Sequence, residues 1–194
     1  MASVKPQADA STVNVINRSG HEQEVPSVFS LEKHYALHSE QIYQFIYFLT
    51  FDKELTEDLL QETFIRAYEG RAAYRGDANV LTWLRSIAKN LTYDHFKRKK
   101  IIRFLPFSAV PEPSIIEQSI LQTLQVEEQQ RELYVEIAKL KLEYRTAIVL
   151  RKIEGLSIKE TAEILGWTEA KVKNNTIRGL KELSHILKDV NDDD

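Results

Sequence analysis

From Val28 to about Arg103, apolar residues recur three and four positions apart, the period of an amphipathic helix. Phe29, Leu31 and Tyr35 open the pattern, and Ile42, Phe45, Ile46 and Leu49 continue it. Thr56, followed by Glu57 and Asp58, predicts a helix start, because a hydroxyl can accept from an unpaired first-turn N–H and acids suit that end of the dipole. That helix runs to about Tyr68, Gly70 and Gly76 bracket a loop, and another helix is predicted from about Val80 to Lys100. Helical spacing resumes from Ile115 to Leu187, with breaks near Glu154-Gly155 and at Gly166. Between the two stretches, Pro106, Pro111 and Pro113 predict a linker. The first 27 residues are polar and aperiodic, which predicts a flexible arm. No stretch alternates at strand period over a useful length. The expected fold is all-α: two small helical domains joined by a Pro-containing linker, the second a helix-turn-helix domain. The boundaries are an arm over 1–27, a domain over 28–103, a linker over 104–118, a domain over 119–188 and an acidic tail over 189–194.

Composition narrows the class. With 43% hydrophobic and 28% charged residues in 194, the chain is too apolar to be disordered throughout. The absence of cysteine excludes disulfide scaffolds, thiolate metal sites and thiol nucleophiles, and suits the cytoplasm. The longest apolar run, Ile42 to Phe51, is too short to span a bilayer and carries Gln44, and Met1 to Val15 has no apolar signal core. Neither membrane insertion nor export is expected.

A net charge of −3 conceals strong segregation. Residues 52–69 carry a net −4, whereas 85–103 carry +6 and 171–188 carry +4. Opposite blocks on one chain predict two kinds of partner surface.

The most specific local pattern is Leu156 to Leu183. Ser157-Ile158-Lys159-Glu160 reads as a capping box, Ile158, Ala162 and Leu165 as its helix's apolar face, Gly166 as the stop, and Thr168 as the cap of a second helix. That second helix turns Val172, Thr176, Leu180 and Leu183 inward. Lys171, Lys173, Asn174, Arg178 and Lys181 remain for phosphates and major-groove base edges. A helical hairpin with a solvated basic face is the plainer alternative. Between Val80 and Lys100, Leu84, Ile87, Ala88 and Leu91 share one side, while Arg85, Lys89, Tyr93, Phe96, Lys97 and Lys100 share the other. Cations interleaved with rings suit single-stranded nucleic acid, with Asn90 and Asp94 beside them to bond a base. Packing of Tyr93 and Phe96 on a neighbouring helix accounts for the same pattern. In the preceding helix, Leu60, Phe64 and Ala67 point inward and Asp58, Gln61, Glu62 and Glu69 outward.

Three motifs in order connect these faces: Asp58-x-x-Gln61-Glu62-x-Phe64; Thr82-Trp83-Leu84-x-x-Ile87-Ala88-x-Asn90-x-x-x-Asp94-x-x-Lys97-Arg98; and the helix-turn-helix. Over about residues 28–187 the chain resembles bacterial sigma factors of the extracytoplasmic-function class of the sigma-70 family. The resemblance implies that Asp58, Gln61 and Glu62 dock on the β′ clamp of core RNA polymerase. It further implies that the Arg71–Asn79 loop with Arg85, Lys89, Asn90, Tyr93, Asp94, Lys97 and Arg98 opens and reads a −10 element, and that the helix-turn-helix reads a −35 element. An anti-sigma partner and a linker threading toward the polymerase cleft are implied likewise, with no cofactor and no catalysis by the chain itself. Two features depart from the class. Asn175 stands where its recognition helices often carry Arg, and the first 27 residues have no counterpart in minimal members. The contrasting reading is a stand-alone helix-turn-helix regulator with a helical sensing or dimerisation domain. No metalloprotease, P-loop or dinucleotide motif is present. His34 and His38, four apart, would need Glu32 or another carboxylate to hold a metal.

Overall fold

The computed structural model describes residues 12–16, 22–26, 29–74, 79–102 and 128–192. The expected linker and the start of the second domain lie outside these residues.

The first domain is a three-helix bundle. Ser30 caps α1 (Leu31–Thr50), accepting from Lys33 N. Phe51 ends it in the left-handed region at φ 50°, a costly conformation for a side chain, and one held here by full burial of the ring. Helix α2 (Lys53–Glu69) starts at Asp52, whose carboxylate accepts from Leu55 N at 3.0 Å. The expected cap, Thr56, is instead buried inside the first turn and bonds the Thr50 hydroxyl at 2.8 Å. Asp52 outcompetes it because it sits where the chain is still extended. A 3-10 turn (Gly70–Ala73) leads toward α3 (Val80–Ile102), whose first N–H groups include Leu81 N, bonded to the Asn79 side chain at 2.9 Å. Ile42, Phe45, Ile46 and Leu49 meet Leu60, Phe64 and Ala67 and, from α3, Leu84 and Ala88 in the core.

The second domain contains α4 (Glu128–Lys139), α5 (Leu142–Ile148) running into a π turn (Val149–Ile153), α6 (Ile158–Leu165) and α7 (Glu169–Asp192). Helix α7 thus extends four residues into the expected acidic tail. The capping box at Ser157 and Glu160 is formed, Gly166 turns the chain at φ 64°, and Thr168 Oγ1 accepts from Lys171 N at 3.2 Å. The recognition helix faces inward through Val172, Asn175, Thr176, Gly179 and Leu183, whereas Leu180 is 40% exposed. The inward face is therefore turned by part of a step from the expected one. Gly179 explains why: a Cβ there would lie 2.7 Å from Ile148 Cδ1 and 3.1 Å from Tyr144 Cβ, so its bare backbone seats α7 on α5.

The segment expected to be a flexible arm contains an antiparallel pair, β1 (Thr12–Ile16) with β2 (Glu22–Pro26), Asn14 opposite Glu24. Thr12-Val13-Asn14-Val15-Ile16 is dense in β-branched residues, but five residues are too few to register as a strand pattern. An isolated hairpin is marginal in water, and β1 lies beside the 3-10 turn. Both domains are otherwise all-helical over the described residues, as expected.

The two domains share one continuous apolar cluster. Phe48 of α1 packs on Tyr134 of α4 with ring centroids 5.0 Å apart. Arg145 of α5 is buried, donating from Nη1 to Leu49 O of the first domain at 2.7 Å and from its other nitrogens to Ile137, Ala138 and Leu140 carbonyls. With no carboxylate beside it, burial lowers its pKa to about 10.

Candidate nucleic-acid interface

Each group of predicted site residues has a different fate. On α7, Lys171, Lys173, Asn174, Arg178 and Lys181 are all exposed. Lys171 Nζ sits 4.2 Å from the Trp167 ring centroid, which orients it at the start of the helix. Asn175 is 9% exposed and faces the domain interior, so the site where the class often has Arg presents no donor to DNA in this arrangement. Gly179 likewise faces the interior.

On α3 the basic-aromatic stripe is divided. Asn90, Asp94, Lys97 and Arg98 are exposed. Arg85 and Tyr93 instead face the second domain. Arg85 pairs with Glu154, just after the π turn, and is 6% exposed. The Tyr93 hydroxyl donates to Thr146 Oγ1 of α5 at 3.1 Å. Lys89 lies between the two groups, bonded to Asn90 Oδ1 at 2.6 Å.

Burial governs the titration of this seam. It pushes Glu154 up to about 7 against the opposing pull of Arg85. It lowers Arg85, with Glu154 and then Glu160 raising it in part. It raises the Tyr93 phenol. Burial also lowers Lys89, Asp94 opposes this, and Lys171 of the recognition helix lowers it further. Glu154 and Thr146 carried no signal in the sequence, because their partners are 69 and 53 positions away.

The loop before α3 is organised by rings. Trp83 stacks on Tyr74 at 4.8 Å and meets Phe29 edge-on at 5.5 Å, while Arg71 lies 3.9 Å over the Tyr68 ring. Residues 75–78 of the predicted −10 loop lie outside the described residues.

On α2, Asp58 and Gln61 are exposed, and Glu62 is paired with Arg66 at 2.7 Å. A groove of about 590 Å³ between α2 and α3 is lined by Glu62 and Arg66 on one side and by Asp94, His95 and Arg98 on the other, over a floor of Leu59 and Leu91. The predicted polymerase face and −10 face are therefore continuous. His34 and His38 stack at 5.8 Å, and His34 stacks on Phe29 at 4.7 Å. No group of three potential metal ligands occurs among the described residues.

Two helical domains, the second a capped helix-turn-helix with an outward basic face, define a helix-turn-helix protein of the kind that binds duplex DNA. Residues 34–101 match the sigma-70 region 2 family and residues 130–183 the sigma-70 region 4 family. The chain is 37% identical to the ECF RNA polymerase sigma factor SigX of Bacillus subtilis, over 77% of this chain and 79% of that protein. It is 30% identical to SigW of the same organism, over 79% and 87%. The fold is that of the sigma factor RpoE in its co-crystal with the anti-sigma factor NepR from Bartonella quintana (TM-score 0.65, 20% identity, 81% of this chain and 96% of that one). It is also that of CnrH in complex with the cytosolic domain of CnrY (TM-score 0.59, 20% identity, 81% and 87%). The chain belongs to the sigma-70 family, and within it to the extracytoplasmic-function sigma factors. The region 2 match falls on the domain that a stand-alone regulator would use for sensing or dimerisation, so that reading is not favoured.

Proposed function

We propose that this sigma factor directs core RNA polymerase to its promoters through three surfaces that become available in turn. The observation that carries the reading is the helix-turn-helix, with its exposed cationic face, following a region 2 domain in family order. Asp58, Gln61 and Glu62 dock on the β′ clamp. Lys171, Lys173, Asn174, Arg178 and Lys181 hold −35 duplex, and the α3 stripe with the preceding loop captures melted −10 bases. Stacking and pocket hydrogen bonds offset the few kcal/mol needed to unstack a base.

Promoter binding requires the domains to part. Elements about 25 base pairs apart at roughly 3.4 Å each lie about 85 Å from one another along a duplex. Here the second domain packs on α3 itself, pairing Glu154 with Arg85 and Thr146 with Tyr93. Arg85 and Tyr93 join the −10 surface only when Glu154 and Thr146 release them. The closed arrangement suits storage by an anti-sigma factor in the cytoplasm; among the described residues no helix is long and apolar enough to cross a membrane.

In vitro transcription with core polymerase over a promoter library tests the reading. Core-dependent initiation at promoters sharing −35 and −10 motifs is expected. Failure to co-elute with core in gel filtration would overturn it.

A further inference from the structure

The outward face of α2 is polar except at its centre. Thr56, Leu60, Thr63 and Ala67 form the inward line of this helix, and Ile65 lies directly opposite, 52% exposed. Asp58, Gln61, Glu62 and Glu69 surround it at spacings of three, four and seven residues. Helix stability does not account for the choice, since a β-branched residue is a poorer helix former than Leu, Lys or Glu. Core packing does not either, since Leu59, Leu60 and Phe64 already fill the inward side.

A solitary exposed apolar side chain is ordinary on a protein surface. Ile65 differs in its surroundings. An apolar centre inside a polar rim is the anatomy of an interface hot spot, in which the rim excludes water and the centre supplies most of the affinity. The rim here is acidic: Asp58, Glu62 and Glu69 offer oxygen acceptors, and Glu62 already holds one cation, Arg66, at 2.7 Å on an exposed surface where such a pair is weak and exchangeable. The complementary partner is a helical surface with a shallow apolar recess bordered by Arg or Lys.

We propose that Ile65 is the apolar anchor of the polymerase-docking face and seats in such a recess on the clamp. This rests on the docking role of Asp58, Gln61 and Glu62. The carboxylates steer the encounter and set the association rate, whereas Ile65 sets the lifetime of the complex, because charge acts at a distance and burial acts only on contact.

The experiment measures association and dissociation of the full-length chain on core RNA polymerase at about 0.1 and 0.3 M salt, two screening regimes. The variants are Ile65→Ala, Ile65→Leu and the double variant Asp58→Ala with Glu62→Ala. Ile65→Ala is expected to speed dissociation about tenfold or more while leaving the association rate and its salt dependence unchanged. Ile65→Leu, which keeps the apolar volume, is expected to stay close to the parent. The acidic double variant is expected to slow association and flatten its salt dependence. Thermal unfolding followed by circular dichroism should show Ile65→Ala as stable as the parent, because Ala is the better helix former at an exposed site. If Ile65→Ala dissociates within about twofold of the parent while the acidic variant binds weakly, the anchor is wrong and the docking face stands. If neither variant weakens binding, the docking assignment falls and the anchor with it.

Discussion

At the scale of single residues, Gly179 and Arg178 are neighbours with opposite tasks. Gly179 brings α7 onto α5, and an added Cβ would meet Ile148 Cδ1 at 2.7 Å. Gly179→Ala gains about 1 kcal/mol of helix propensity but forces strain of roughly 1–3 kcal/mol in a packed core. The expected net effect is a lower melting temperature, partly restored by adding Ile148→Val, which removes the offending methyl. A melting temperature equal to or above the parent's would show that α5 yields freely. Arg178 points outward and is long enough for a phosphate or a guanine edge. Arg178→Ala is expected to reduce initiation on −35-dependent templates while leaving core binding intact. A loss of about 1–3 kcal/mol confined to one promoter position marks a base contact. Uniform weakening with a shallower salt dependence marks a phosphate contact. Undiminished transcription would remove Arg178 from the DNA face.

At the scale of the element, α3 serves two surfaces at once. Its inward line of Leu84, Ala88 and Leu91 follows directly from helical spacing. The rest was legible only as a stripe, and tertiary structure cut it in two. Arg85 and Tyr93 turn to the second domain, while Asn90, Asp94, Lys97 and Arg98 stay in solvent. The packing account of Tyr93 holds for its hydroxyl, which is engaged in the closed protein, whereas stacking of its ring on a −10 base belongs to the proposed open form. Comparing two variants separates these roles. Tyr93→Phe removes the bond to Thr146 and keeps the ring, so open-complex formation should be retained. Tyr93→Ala removes both and should lose about 1–3 kcal/mol on duplex promoters, the worth of one stacked base, with less loss on a template pre-melted at −10. Equal activity of Tyr93→Ala on the two templates would assign the ring to packing alone.

At the scale of the whole molecule, Glu154 links closure to pH. Its carboxyl is held at about 7 in the closed form against an ordinary 4.5, so between those values the closed state binds a proton that the open state lacks. Closure is accordingly favoured at low pH and weakens as pH rises through that window, by up to about tenfold per unit. Arg85 faces Glu154 directly, and Glu160, which also raises Arg85, is itself lowered by its Ser157 hydrogen bonds. Fluorescence energy transfer between probes on α3 and α7 should therefore fall as pH rises from about 5 to 7. Glu154→Gln should remove most of that dependence. A titration curve unchanged by Glu154→Gln would place the sensitivity elsewhere.

Local interactions explain what could be read from the chain. Ser157 and Glu160 cap one helix, Gly166 turns the chain, Thr168 caps the next, and each acts within four residues, so their order in sequence determines the helix-turn-helix. The acidic face of α2 and the inward line of α3 follow from helical period for the same reason. Partners far apart in sequence leave no such trace. Arg85 with Glu154, Tyr93 with Thr146 and Arg145 with the Leu49 carbonyl were decided by docking of one domain on the other. Packing within the second domain turned Asn175 inward and let Gly179 rest on Ile148, because a helix's outward and inward residues are defined only once its neighbour is in place. The sequence determined which surfaces this sigma factor carries, and tertiary packing decided which of them the closed protein exposes.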